Sequence, residues 1–149
     1  MFIGHYGVAL GAYAACPTVP LPVLMVATQS IDIVWAGLIL GDVEKVEIKP
    51  GATATTPLHL SHMPYSHSLA GAVLISLATA ALTLPFGVSL VGALLVLAVA
   101  FSHWLLDLLV HDRTLNIGFG LPKAGLGLWN NRPASVVVEF ALILGGFLA

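Results

Sequence analysis

Charge is the scarcest property of this chain. Of 149 residues only 8% are Asp, Glu, Lys or Arg, where a water-soluble domain carries about 25%. The five Lys and Arg are outnumbered by seven Asp and Glu. That leaves no basic patch, and a nucleic-acid partner is excluded. Cys16 is the lone cysteine, which excludes both a disulfide framework and a cysteine-rich zinc site. The polar bias of intrinsic disorder is missing too, since 58% of the residues are hydrophobic and the mean hydropathy is +1.00. What the chain does have is apolar length, and its natural solvent is lipid.

Five apolar segments stand out: residues 2–16, 21–41, 67–85, 88–110 and 134–149. A bilayer core of about 30 Å needs about 20 helical residues, which the middle three segments supply. The expected fold is therefore all-α: one integral-membrane domain over residues 1–149, a multi-pass transmembrane bundle of about five helices with short terminal ones. The first segment holds His5 and Tyr6 and no Lys or Arg precedes Lys45. It reads as a mature helix more readily than as a signal peptide, although Ala14, Ala15 and Cys16 are small enough for a cleavage site.

Two polar loops, residues 42–66 and 112–133, contain all the basic residues: Lys45, Lys49, Arg113, Lys123 and Arg132. With helices crossing alternately, both loops share the side of the N-terminus. The positive-inside rule then places all three in the cytoplasm, with the chain in the inner membrane. The glycine-rich stretch from Gly118 to Trp129 lacks the order of a phosphate loop. It is expected to be a tight re-entrant or interfacial loop anchored by Trp129 at headgroup level.

Ionisable groups at membrane depth are costly and mark a site by default. Here they are His5, Asp32, His67, His103, Asp107 and Glu139, each in or near the loop-side part of its helix. The clearest local signal is Ser102-His103-Trp104-Leu105-Leu106-Asp107. His and Asp at i and i+4 share a helix face, as two ligands of one metal or a carboxylate orienting an imidazole; a plain buried hydrogen-bonded pair would look the same. His111 continues the stripe at i+8. In Pro64-Tyr65-Ser66-His67-Ser68, Ser66 is placed to cap the next helix and His67 sits at its positive end. Asp32 lies in Thr28-Gln29-Ser30-Ile31-Asp32, a polar face in an apolar helix. As a lone acid it would be protonated and inert; with histidines nearby a metal-bound carboxylate is the better reading. Glu139 fits three roles: metal ligand, general base, or partner of Arg132. His59 and His62 read as solvated loop residues.

Taken together, these motifs resemble a family of small bacterial and archaeal inner-membrane proteins predicted to be metal-dependent hydrolases. The resemblance is carried by His5 in FIGHYG, Asp32 in QSIDIVW, His67 in YSHS, the SHxxLD of Ser102, His103 and Asp107, then GLGLWN and Glu139. The ligand order is also similar to that of the zinc-dependent phospholipase C superfamily. It implies a helical bundle holding metal and a phosphodiester or lipid substrate. Met63-Pro64-Tyr65 stand where the family has a basic residue, and no second HxxxE follows, so one or two metals are expected rather than three.

The expected function is thus a membrane-embedded metal-dependent hydrolase of a phosphodiester or ester in a lipid-like substrate. His5, Asp32, His67, His103 and Asp107 would bind the metal, and Glu139 and Asp107 would be the catalytic carboxylates. The donor set suits Zn²⁺, with Mn²⁺ or Fe²⁺ taking similar ligands. Two other classes compete: a non-catalytic accessory subunit completed by other membrane subunits, and an ion- or haem-binding protein using paired imidazoles.

Overall fold

In the computed structural model, which describes residues 3–119 and 122–149, the chain is mostly helical. Among these residues the elements run α1 (Gly4–Ala15), α2 (Leu21–Thr28), α3 (Ser30–Leu40), β1 (Lys45–Ile48), β2 (Leu58–His62), α4 (Leu69–Thr83), α5 (Leu90–Val110), β3 (Leu115–Asn116), β4 (Lys123–Ala124) and α6 (Arg132–Leu148). The expected all-α class needs correction. Each polar loop carries a small two-stranded antiparallel sheet, β1 with β2 and β3 with β4. The first arises because Leu58 and Leu60 alternate with His59, so one face of β2 turns apolar residues inward.

Helix boundaries follow local chemistry. Ser68 accepts from the Gly71 amide to cap α4, Ser89 from Gly92 to cap α5, and Asn131 from Ala134 to cap α6. The cap of α4 is therefore Ser68, not Ser66. Pro17 follows the end of α1, where no helix can continue. A break at Gln29 separates α2 from α3 with a bend of 49°. Polar contacts of Thr28 mark it: its hydroxyl donates to the His5 carbonyl and its own carbonyl accepts from His103.

Two stretches, Leu69–Phe86 and Leu90–Val110, are long and apolar enough to cross a membrane, and α2 with α3 makes a third if the bent pair counts as one span. Large apolar side chains face outward along them, among them Leu74, Leu77, Leu82, Val91 and Leu94. Helices α1 and α6, short on their own, lie side by side and parallel. A Cβ on Gly7 would sit 2.2 Å from the Leu142 carbonyl oxygen, and one on Gly146 would sit 2.0 Å from the Gly7 oxygen. Only glycine permits that approach.

The core divides in two. At one end small and β-branched residues (Ala9, Val19, Ala27, Ala93, Val96, Ala100) interlock. At the other, Ile31, Leu60, Met63, Trp104, Val110, Leu115 and Trp129 pack beneath the two sheets. The start of α1, the α2–α3 break, the entry to α4 and the last turns of α5 all meet at this second end, around one polar cluster.

Candidate metal centre

Four imidazoles and two carboxylates converge there. His5 Nε2 lies 3.3 Å from Asp107 Oδ1. The other carboxylate oxygen, Oδ2, faces His103 Nε2 at 3.2 Å, His67 Nε2 at 3.4 Å and His111 Nε2 at 3.7 Å. Asp32 Oδ1 lies 3.2 Å from His67 Nε2 and 3.5 Å from His103 Nε2. His5 and His103 stack with ring centroids 3.9 Å apart. All are buried except Asp32, whose side chain is 40% exposed and forms the lip of the cluster.

The second ring nitrogens show why Nε2 faces inward. His103 Nδ1 donates to the Thr28 carbonyl at 2.7 Å, an oxygen that can only accept. The Ser66 hydroxyl donates to Glu44 Oε2, so it accepts from His67 Nδ1 at 2.9 Å. The Thr114 hydroxyl donates to the Asp112 carbonyl, so it accepts from His111 Nδ1 at 3.2 Å. In each case a hydrogen bond on Nδ1 leaves Nε2 to the cluster, the arrangement that orients metal-ligating histidines.

Two buried side chains of the cluster remain poorly satisfied. Neither ring nitrogen of His5, nor Nε2 of His103, has a well-directed hydrogen-bond partner among the described residues, although carboxylates lie within 3.5 Å. Buried polar atoms are normally paired. Nitrogens crowded around carboxylates without directed hydrogen bonds have the geometry of ligands around a common centre. Two overlapping triads can each hold a metal ion: His5, His103 and Asp107, all buried, and Asp32, His67 and His103, nearer the surface. Nitrogen with carboxylate oxygen is a donor set for Zn²⁺ and its neighbours.

The histidines at the helix ends differ in proton affinity. Burial alone would drive the proton off His67, but the carboxylates of Asp107 and Asp32 outweigh it and hold its pKa above the ordinary value. Burial takes His111 down to about 3, with Asp107 opposing and the charge of His67 adding to the fall.

A cavity of about 230 Å³ opens onto the cluster, its polar floor made by Asp32, His67, Asp107 and His111, its walls by Trp35, Leu58, Leu60, Met63 and Trp129 among others. Trp129 is buried, its ring centroid 4.5 Å from that of His111. It forms part of the wall instead of anchoring a loop at the membrane surface. The glycine-rich stretch that carries it turns back onto α5: the Leu126 amide donates to the Leu108 carbonyl and the Gly127 amide to that of His111, satisfying the helix's last turn. Gly125, at φ +152°, lies so close to the Asp112 carbonyl that an added Cβ would collide with it. Residues 120 and 121 of this stretch lie outside the described residues.

Five of the six expected side chains therefore come together: His5, Asp32, His67, His103 and Asp107. Glu139 is placed differently. Its Oε2 accepts from the Ile3 amide at 3.0 Å and the Gly4 amide at 3.4 Å, at the start of α1. It belongs to neither triad and does not line the cavity. These hydrogen bonds tie Glu139 to the helix end that carries His5. His59 and His62 lie on β2 opposite Glu47 and Lys45, outside both triads.

Two members were missed as such in the sequence. His111 was visible as the i+8 extension of the His103–Asp107 stripe. Glu44 had no such signal, because it lies 22 residues from Ser66. It is buried and accepts from the Tyr65 amide, the Ser66 amide and the Ser66 hydroxyl. No protein-family model, curated protein or solved structure matches the chain.

Proposed function

We propose that this chain is a membrane-embedded metal-dependent hydrolase that cleaves a phosphodiester or ester bond in a lipid-like substrate. The observation that carries the reading is the convergence of inward-facing Nε2 atoms, two of them without directed partners, on two carboxylates at the floor of an accessible cavity. His5, His103 and Asp107, all buried, would hold a divalent ion such as Zn²⁺. When bound there, it would supply Lewis-acid chemistry and make water more acidic than in bulk. Asp32, the half-exposed carboxylate at the mouth, is placed to accept a proton from the attacking water. His67 holds Asp32 in position and is itself held by Ser66 and Glu44.

The belts of outward-facing leucine and valine on α4 and α5 support a chain set in the bilayer. The basic loops support an inner-membrane location with the N-terminus and cluster on the cytoplasmic side. A haem reading fits poorly. Axial imidazoles must face each other across the macrocycle, whereas His5 and His103 are stacked 3° from parallel with no gap between them.

The test is metal-dependent turnover. Purified full-length protein loaded with zinc should hydrolyse a member of a phosphodiester and lipid-ester panel, with activity lost on chelation and in Asp107→Ala. Zinc-loaded protein inert across the panel would replace this reading with that of a non-catalytic metal-holding subunit.

A further inference from the structure

The four histidines of the cluster are not held alike. His103, His67 and His111 each use Nδ1 in a hydrogen bond, to the Thr28 carbonyl, the Ser66 hydroxyl and the Thr114 hydroxyl. His5 has no such bond: among the described residues neither of its ring nitrogens has a directed partner. Its ring lies flat on that of His103, 3.9 Å away and 3° from parallel. Stacking sets the plane of the ring but leaves it free to slide. The height of His5 against Asp107 must therefore come from the main chain of α1.

That main chain is fixed in three places. The Thr28 hydroxyl donates to the His5 carbonyl at 3.1 Å. Glu139 Oε2 accepts from the amides of Ile3 and Gly4, donors of the kind that a helix start leaves without intrahelical partners. One turn further on, Gly7 meets α6 at Leu142 and Gly146, where an added Cβ would collide with backbone. Glu139 and Gly146 lie two turns apart on one face of α6, so α1 is registered on α6 at two levels. The glycine contact permits close approach, and the carboxylate adds a direction along the helix axis. An acid in an apolar helix is costly, and this one is turned to the helix end beside the cluster.

We propose that Glu139 is a positioning residue: from α6 it fixes the start of α1, and through it the height at which His5 Nε2 faces Asp107, 3.3 Å away. Its effect on a bound metal is indirect, since it belongs to neither triad. The inference rests on the metal reading for its consequence and on the hydrogen bonds alone for its geometry. The rival is a helix-end bond that stabilises the fold and does nothing else. The two differ in what His5 does when the carboxylate is removed.

Full-length protein is compared with Glu139→Ala, Glu139→Asp, Glu139→Gln and, as a control on the outward face of α6, Val137→Ala. Cobalt(II) is the probe, its affinity read from the visible absorption of the bound ion. Partners that hold metal ligands in place are worth about 10- to 100-fold in affinity, so Glu139→Ala should weaken cobalt binding about tenfold. Glu139→Asp, one methylene shorter, should weaken it less. Glu139→Gln keeps an acceptor at the same reach and should bind as the wild type does, as should Val137→Ala. In a His5→Ala background Glu139→Ala should cost nothing more. An additive loss there, or wild-type affinity in both Glu139→Ala and Glu139→Asp, would overturn the proposal.

The metal-free proteins are read by NMR of ¹³C-labelled histidine. The His5 ring resonance, assigned by its loss in His5→Ala, should move in Glu139→Ala and Glu139→Asp, while those of His59 and His62 stay. A lower unfolding temperature with the His5 resonance unmoved would leave only the helix-end role and refute positioning. If the wild type binds no cobalt, the metal reading fails, and the resonance alone decides in the same way. If Glu139→Ala does not fold, Glu139→Asp carries both measurements.

Discussion

The two ends of the bundle solve opposite problems. At one, Ala9, Val19, Ala27, Ala93, Val96 and Ala100 interlock with no ionisable side chain among them. At the other, four histidines and two aspartates share one pocket. The apolar end is stabilised by close contact alone, so any residue of similar size serves it about as well. The polar end is stable only when each donor meets its acceptor, because a buried unpaired charge costs several kcal/mol. That requirement explains why the two small sheets, the glycine-rich return and the buried Glu44 all gather at the same end. They supply the hydrogen bonds that helices alone cannot. An end so heavily polar is costly to build, which is the argument that it exists for function rather than for folding.

The contrast can be broken most sharply at Asp107. Asp107→Ala leaves His5, His67, His103 and His111 without the carboxylate they share, and zinc affinity should fall by more than about 100-fold, as measured by calorimetric titration. A smaller effect is expected one step out. Glu44→Gln keeps the shape but weakens the hold on Ser66, so the ring of His67 is less firmly oriented. Metal-dependent turnover should drop about 10-fold, with helical content unchanged by circular dichroism. Ser66→Ala should give a similar loss, and wild-type turnover in both variants would show that the relay positions nothing. At the other end, Val96→Ala should cost on the order of 2 kcal/mol of stability in a chemical-denaturation curve, through lost burial and the cavity left behind, and leave zinc affinity untouched. A loss of zinc binding there would mean the two ends are coupled.

Much of this division was legible in the residues. The five apolar segments correspond closely to α1, the α2–α3 pair, α4, α5 and α6, because hydrophobic length and proline punctuation report helices directly. The cluster was legible as well: isolated His and Asp in apolar runs have few reasons to be there. What was hidden is whatever depends on contacts distant in sequence. Glu44 looked like one more loop charge, since only the folded chain brings it to Ser66. Glu139 looked like a base because its carboxylate sits in an apolar helix, and nothing local shows that it meets the first amides of α1. The sheets escaped because four- and five-residue strands inside polar loops leave too short an alternation to read. Trp129 followed the general preference of tryptophan for membrane surfaces, yet the return of the glycine-rich stretch onto α5 carries it inward against His111.

The central claim is that the polar end holds a metal ion. The most direct test is elemental analysis of the full-length protein purified without chelator and exchanged into zinc, beside His103→Ala and His59→Ala. About one zinc per chain is expected in the wild type and in His59→Ala, with little in His103→Ala, whose side chain belongs to both triads. A wild type that takes up no zinc, manganese or iron, or equal metal in all three proteins, would contradict the account.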